Sequence, residues 1–247
     1  LKEKIFKIDE IVISANKWEQ SKSDISSQIL DLSENEIEYI NPKTSADLLE
    51  ETGQIFVQKS QLGGGSPMIR GFSANRILIV LDGVRLNNAI FRSGNLHNII
   101  SIDPNILEGA EVLFGPASVI YGSDAIGGVM DFHTKEPSFS SNKKILFKGQ
   151  QLFKYYSASN SKHFNLNLNI GGRKISSISS ISVNNYDDLR SGNKRPEKYF
   201  DFGKRTEYVE VKNSDEIVEN KNYNIQKFSG YSQFNFVEKI KFNLSES

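Results

Sequence analysis

The sequence predicts a small α+β domain followed by antiparallel transmembrane β-barrel strands, the N-terminal part of a larger barrel. Three observations carry this. Between residues 68 and 130 the chain reads as short apolar strands separated by glycine turns. After Pro137 the composition changes. Beyond that point, large apolar residues alternate one by one with asparagine, serine and lysine, the period of a strand with one apolar and one polar face.

The bulk numbers narrow the function classes. The chain has 247 residues, enough for one or two domains. Acidic and basic residues balance to zero net charge, which argues against a nucleic-acid partner. The absence of cysteine permits an oxidising compartment. The longest aliphatic run, Ile77 to Leu81, is far too short for a spanning helix. Barrel strands leave a weaker hydropathy trace. Leu1 opens a charged segment with no apolar h-region, so for an exported protein this numbering is expected to be the mature one.

Residues 1–27 form a polar lead with one β-prone run, Glu10-Ile11-Val12-Ile13-Ser14-Ala15. Such a run reads as an edge strand or fraying terminus, or as a strand donated to a partner's sheet edge. Ile29 to Leu32 is a short strand. Ser33-Glu34-Asn35-Glu36 is a capping box that opens a helix stopping near Pro42. Thr44 caps a second helix, Ser45 to Thr52, with Gly53 as a left-handed C′ residue. Ile55 to Gln58 returns as a strand. Asp82-Gly83 is a hairpin turn between two apolar-rich strands. Asp103-Pro104 starts another helical turn, Pro116 to Tyr121 a further one closed by Gly122, and Gly127 to Thr134 is the last strand of the unit.

In the second half, Phe164, Leu166, Leu168 and Ile170 alternate with Asn165, Asn167 and Asn169. Phe234, Phe236, Ile240, Phe242 and Leu244 stand against Gln233, Asn235, Lys239 and Lys241. The stretches 144–157 and 174–185 read as strands with noisier alternation. A soluble sandwich strand alternates as well; a row of asparagines suits a wet lumen opposite a lipid face better. Gly171-Gly172-Arg173 is a tight turn, and a long charged segment runs from Tyr186 to Gly230, the short-turn, long-loop asymmetry of outer-membrane barrels.

The blocks Met68-Ile69-Arg70-Gly71-Phe72, Arg76 to Asn87, Glu111-Val112-Leu113-Phe114-Gly115-Pro116-Ala117-Ser118 and Tyr121 to Met130 closely resemble, in order and spacing, the plug domain of TonB-dependent outer-membrane receptors. The resemblance covers roughly residues 9 to 137. It implies a periplasmic linker with a TonB box over 1–27, a plug over 28–137, and the first strands of a barrel over 138–247. Glu10 to Ala15 would be the TonB-binding box. The implied protein is not an enzyme but a receptor in the cell outer membrane, its N-terminus in the periplasm. It would take up a scarce ligand such as haem, an iron chelate or a cobalamin, driven by TonB and its inner-membrane motor proteins, with outer-membrane lipid around it and no intrinsic cofactor. About four barrel strands are legible, whereas plugged transporters use roughly 22. Four strands cannot close in lipid, so the chain is expected to be part of a longer receptor or a truncated, non-transporting surface binding module.

Several residues are candidate sites. Gly63-Gly64-Gly65-Ser66 lacks the Lys-Ser/Thr and helix start of a phosphate cradle; the resemblance makes it a ligand-facing plug loop. The second such loop is Ala89 to His97, with Phe91, Arg92, Asn95 and His97. His97 is a candidate haem-iron ligand, and the segment Asn87 to Leu96 is similar to the receptor branch that takes haem or haem proteins. Asp82 has no catalytic partner at a recognisable spacing and reads as a turn residue. Arg70 and Glu111 lie in or beside apolar strands, where a lone charge is costly, so both are expected to pair, with each other or with a barrel wall. His133 reads as structural and His163 as the polar start of a barrel strand.

Overall fold

The computed structural model describes residues 11–12, 20–21, 28–59, 62–86, 99–142, 144–211 and 214–244. By internal contacts the chain divides into two units, the first of Leu1–Lys59 and Gly64–Glu136, the second of Ser60–Gly63 and Pro137–Ser247.

The first unit is an α+β domain. After the short pair β1 (Ile11–Val12) and β2 (Gln20–Ser21) come β3 (Ile29–Ser33), helices α1 (Glu34–Ile40) and α2 (Ser45–Glu51), and β4 (Phe56–Gln58). Next are β5 (Ser66–Ile69), β6 (Phe72–Ser73), β7 (Ile77–Leu81), β8 (Val84–Arg85), β9 (Leu107–Phe114), α3 (Ser118–Tyr121) and β10 (Gly128–Thr134). The main sheet has the order β3-β9-β10-β7-β8, with β10 parallel to β7 and the other pairs antiparallel. The aliphatic run Ile77–Leu81 is the partner of β10 and is buried along both faces, which its unbroken apolar sequence requires. One face of the sheet packs Ile29, Leu78, Val80, Leu113 and Val129 beneath Ala117, Tyr121 and Ala125.

The local signals act as their chemistry dictates. The Glu36 carboxylate accepts from both the backbone N–H (2.8 Å) and the hydroxyl (2.7 Å) of Ser33. Helix α1 ends at Asn41 in the left-handed region, one residue before Pro42. At α2, the Asp47 N–H donates to Thr44 Oγ1 while the Thr44 N–H donates to Asp47 Oδ2. Gly53 takes the left-handed conformation after the helix. Asp82 and Gly83 both have positive φ, the type I′ turn that matches the twist of the β7–β8 ribbon.

The second unit is a four-stranded antiparallel sheet in the order β11-β12-β13-β18. The strands are β11 (Leu146–Tyr156), β12 (Ser161–Gly171), β13 (Ile175–Tyr186) and β18 (Tyr231–Phe242). The segment between β13 and β18, which the sequence offers only as a charged loop, has its own ladders. Its pairs are β14 (Leu189–Arg190) with β17 (Ile225–Gln226) and β15 (Glu207–Val211) with β16 (Asp215–Glu219). The Arg195 guanidinium binds the Phe202 carbonyl, the Ser191 hydroxyl and Asn224 Oδ1 across this loop. The Asp188 carboxylate closes it by accepting from the Ser229 and Gly230 N–H groups. Period-two patterning is weak there, so only long-range polar contacts reveal the order.

No helix among the described residues is long and apolar enough to cross a membrane.

Candidate functional site

Four parts of the structure bear on function: the N-terminal strand, two loops of the α+β unit, a largely buried acidic row, and the two faces of the second sheet.

Ile11 and Val12 are extended and pair antiparallel with Ser21 and Gln20. A two-stranded ribbon leaves the outer edge of β1 available for another strand. Glu10, Ile13, Ser14 and Ala15 lie outside the described residues.

The first loop ends at Gly64. Gly65 and Ser66, expected to face ligand, are instead buried. A side chain at Gly65 would sit 2.6 Å from the Ala46 Cβ of α2, because β5 starts here and packs directly on that helix. The loop available to a ligand is therefore shorter than the glycine run suggests. Phe91, Arg92, Asn95 and His97 of the second loop lie outside the described residues, but its two ends are fixed. At the start, the Leu86 N–H donates to the Ile79 carbonyl (2.8 Å), and Arg85 pairs with Asp124 (2.6 Å). At the end, Ile99 is buried and its N–H donates to the Gly65 carbonyl (3.2 Å). That bond joins the bases of the two loops.

Arg70 and Glu111, expected to pair with each other or with a barrel wall, do not pair with each other. Arg70 is not a strand residue. With Gly71 it makes the two-residue turn of the β5–β6 hairpin, both at positive φ. Its guanidinium is exposed, donates to Gln28 Oε1 (2.7 Å) and lies over the Phe114 ring. Glu111 is buried in the middle of β9, facing Asp31 of β3 on one side and Asp131 of β10 on the other. Three carboxylates thus form one row across three strands. His133 Nε2 lies 3.9 Å from Asp131 Oδ1 and 4.0 Å from Glu111 Oε1. Burial is the first cause that pushes the Asp131 carboxyl up, to about 6, and the neighbouring Glu111 and Asp82 charges push the same way. His133 and the Tyr121 hydroxyl oppose them. Tyr121 is itself pushed up by burial and by the same two acids, Asp131 and Glu111. The sequence gives no hint of this row, since Asp31, Glu111 and Asp131 are far apart along the chain and only strand register aligns them.

The second sheet has its polar side buried and its apolar side exposed. His163, Asn165, Asn167, Asn169, Ser180 and Ser182 are all below 7 % exposure. The Asn165 amide donates to Ser182 (2.7 Å), and the Asn167 amide to Asn165 Oδ1 (2.8 Å). Asn169 exchanges hydrogen bonds with the backbone of Ser138. His163 sits in an aromatic stack between Tyr156 and Tyr186, the latter stacked on Tyr231. On the other side Phe147, Phe153, Phe234 and Phe236 are more than half exposed. A water-soluble sheet buries its apolar side; this inversion is that of a barrel strand, apolar toward lipid and polar toward the lumen.

Comparison with known proteins agrees with this geometry. Residues 21–129 match the TonB-dependent Receptor Plug Domain family. The chain is 36 % identical over 141 residues to the vitamin B12 transporter BtuB of Vibrio vulnificus, a stretch that is 56 % of this chain and 22 % of that protein. The chain therefore spans about a fifth of the length of the curated relatives it matches. Among solved structures, the pyoverdine outer membrane receptor FpvA of Pseudomonas aeruginosa superposes with a TM-score of 0.61 at 16 % identity, over 73 % of this chain and 25 % of that one. The ferric enterobactin receptor PfeA of the same organism superposes with a TM-score of 0.57 at 15 % identity, over 90 % of this chain and 31 % of that one. At such identities the likeness is one of fold, and it extends across both the α+β unit and the sheet. With the family match on residues 21–129, the inverted faces of the second sheet and these superpositions together, the chain carries a TonB-dependent receptor plug domain followed by antiparallel strands with barrel-type faces.

Proposed function

We propose that this chain is the gate-bearing part of a receptor that actively takes up a scarce metal chelate, with a corrinoid or an iron chelate as cargo. The observation that carries the reading is the combination, in one chain, of a plug fold with strands that put their apolar side outward. The curated relatives are named as vitamin B12 transporters and the superposed structures as siderophore receptors, which supports transport over a surface module that only binds. Haem, or a haem protein, with His97 as iron ligand, is the third cargo to be tested.

Ligand would meet Gly63, Gly64 and the loop carrying Phe91, Arg92, Asn95 and His97. Through the Ile99–Gly65 hydrogen bond, ordering one loop base would be felt by the other. TonB would add a strand to the Glu10–Ala15 box, with main-chain hydrogen bonds supplying the grip. Pulling there would rearrange the plug. A ligand can drive this only by binding the two plug states with different affinity.

The test is uptake by cells expressing the full-length receptor, supplied in turn with labelled cyanocobalamin, a ferric siderophore and haem. The Val12→Pro variant removes a backbone donor from the box strand. It should abolish uptake of the accepted cargo while leaving surface binding intact. Uptake that persists unchanged in Val12→Pro would sink the TonB-driven mechanism. Surface binding without energy-dependent accumulation would favour the binding-module alternative.

A further inference from the structure

The face of the main plug sheet that lies beneath α3 changes character from one row to the next. One row across it is apolar: Ile29, Leu113, Val129 and Leu78. The next holds Asp31, Glu111 and Asp131 and ends on Val80. Like charges directly opposite each other weaken a strand pair, and here they stand opposite at both β3–β9 and β9–β10.

His133 follows Asp131 by two residues and shares its face of β10. Its Nε2 lies 3.9 Å from Asp131 Oδ1 and 4.0 Å from Glu111 Oε1, near enough for charge pairing and too far for a hydrogen bond. Asp131 is only 5 % exposed. Its Oδ1 and His133 Nε2 are both buried atoms without a hydrogen-bond partner. A buried carboxylate oxygen without a donor is costly, and one proton from solvent removes the cost. Placed on Asp131 Oδ1, it cancels the charge opposite Glu111. It also supplies an O–H that the Nε2 of a neutral imidazole accepts once the ring swings inward by about 1 Å. The His133 side chain is 27 % exposed against 7 % for Asp131, so the ring has room to move and gives the row a route to solvent.

The groups that face Asp131 are Glu111 of β9, Asp82 of the β7–β8 turn, His133 of its own strand and the Tyr121 hydroxyl of α3. Asp31 of β3 stands one strand further on. Burial first, and then the Glu111 and Asp82 charges against the opposing His133, keep the proton on Asp131 up to about pH 6.

The place of the row makes it mechanical. β3 is an edge strand of the five-stranded sheet and the first strand of that sheet along the chain. A pull on the N-terminal segment reaches β3 first. The row crosses the two pairings, β3–β9 and β9–β10, through which that load passes into the sheet.

We propose that Asp131, Glu111 and His133 form a proton-operated catch in the plug, closed while Asp131 carries a proton and loosened when it gives that proton up. Its use as a gate control rests on the TonB-driven reading above: a plug held this way yields to a pull more readily as the surrounding pH rises.

The test is a constant load on the N-terminus of the full-length receptor, folded in a lipid bilayer. The lifetime of the first extension step is recorded from about pH 5 to 7.5. In the parent it should shorten several-fold across this range, with a midpoint near 6. Asp131→Asn has no proton to lose and should flatten the profile. His133→Gln removes the group that holds the Asp131 carboxyl down, so the midpoint should move to higher pH. Glu111→Gln removes a charge that pushes it up, so the midpoint should move to lower pH. A merely structural role would change lifetimes without moving the two midpoints in opposite directions. The two glutamine variants keep the test decisive should Asp131→Asn fail to fold.

A parent lifetime independent of pH overturns the proposal. So does a parent-like slope in Asp131→Asn, or midpoints that move the same way. The load needs no TonB, so cell uptake separates the two levels of failure. A pH-dependent catch without energy-dependent uptake refutes the transport reading and leaves the catch. Energy-dependent uptake with a pH-independent first step refutes only the catch.

Discussion

Asp82 accepts two hydrogen bonds from Thr134, one from its backbone N–H (2.8 Å) and one from its hydroxyl (2.6 Å). The turn between β7 and β8 is thereby tied to the end of β10, 52 residues away. The sequence explains Asp82 as half of an Asp-Gly turn, and this second role fixes where the central parallel pair stops.

Asp82→Ala is expected to destabilise the plug by roughly 2–4 kcal/mol, because Thr134 is buried and both of its donors lose this acceptor. Asp82→Asn keeps one acceptor oxygen and tolerates the left-handed backbone, so it should cost about half as much. Denaturant unfolding of the plug in the full-length receptor distinguishes them. Equal stability of Asp82→Ala and the parent refutes the tie.

The acidic row makes plug stability fall with rising pH. The folded Asp131 carboxyl is pushed up to about 6 from its ordinary 3.8. Between these values the folded state holds the proton that the unfolded state has released. The stabilisation is complete below the unfolded pKa and is lost as pH rises through about 6, at up to ~1.4 kcal/mol per unit. Asp131→Asn should flatten this fall and leave the plug more stable than the parent at neutral pH. The measurement is hydrogen exchange of β9 and β10 amides from about pH 4.5 to 7.5, corrected for intrinsic rates. The same slope in parent and variant would show that Asp131 is not the group responsible.

Gly65 leaves no space for a side chain. Gly65→Ala should cost about 1–3 kcal/mol by forcing α2 and β5 apart. It should also weaken ligand binding indirectly, since the Gly65 carbonyl holds the base of the second loop. Gly64→Ala is the comparison; a larger loss there than at Gly65 contradicts the packing argument.

The two faces of β18 should respond oppositely to charge. Phe236→Arg, on the apolar side in the middle of the strand, is expected to cost about 2–4 kcal/mol and to reduce the folded barrel in the membrane. Gln233→Arg, on the polar side, should be tolerated. Heat-shifted gel mobility measures both, and the reverse order would mean that the faces are assigned the wrong way round.

Which parts were legible in the sequence follows from how local each signal is. The Ser33–Glu36 and Thr44–Asp47 caps, the Gly53 terminus and the Asp82-Gly83 turn are written in three or four adjacent residues, and the structure forms them where the sequence places them. Alternation in β12 and β18 is local as well, so the inverted sheet could be read. Arg70 misled because its apolar neighbours suggest a strand, whereas Arg70-Gly71 is a turn whose conformation depends on Met68 pairing with Ser73. Gly65 and Ser66 misled because glycine signals permissive backbone equally in an exposed loop and in a tight contact. The Asp31–Glu111–Asp131 row depends on register across strands, which no window of sequence contains.

The loop between β13 and β18 is stitched internally by its two ladders, by Arg195 and by Asp188. Its described residues are therefore held to one another without any outside partner. On the proposed receptor reading, a cargo or protein arriving from outside the cell does not have to organise this segment, so little of the contact energy is consumed in ordering it. Recognition at this rim should then proceed by fit to a standing surface, with selectivity set by the side chains that surface already displays.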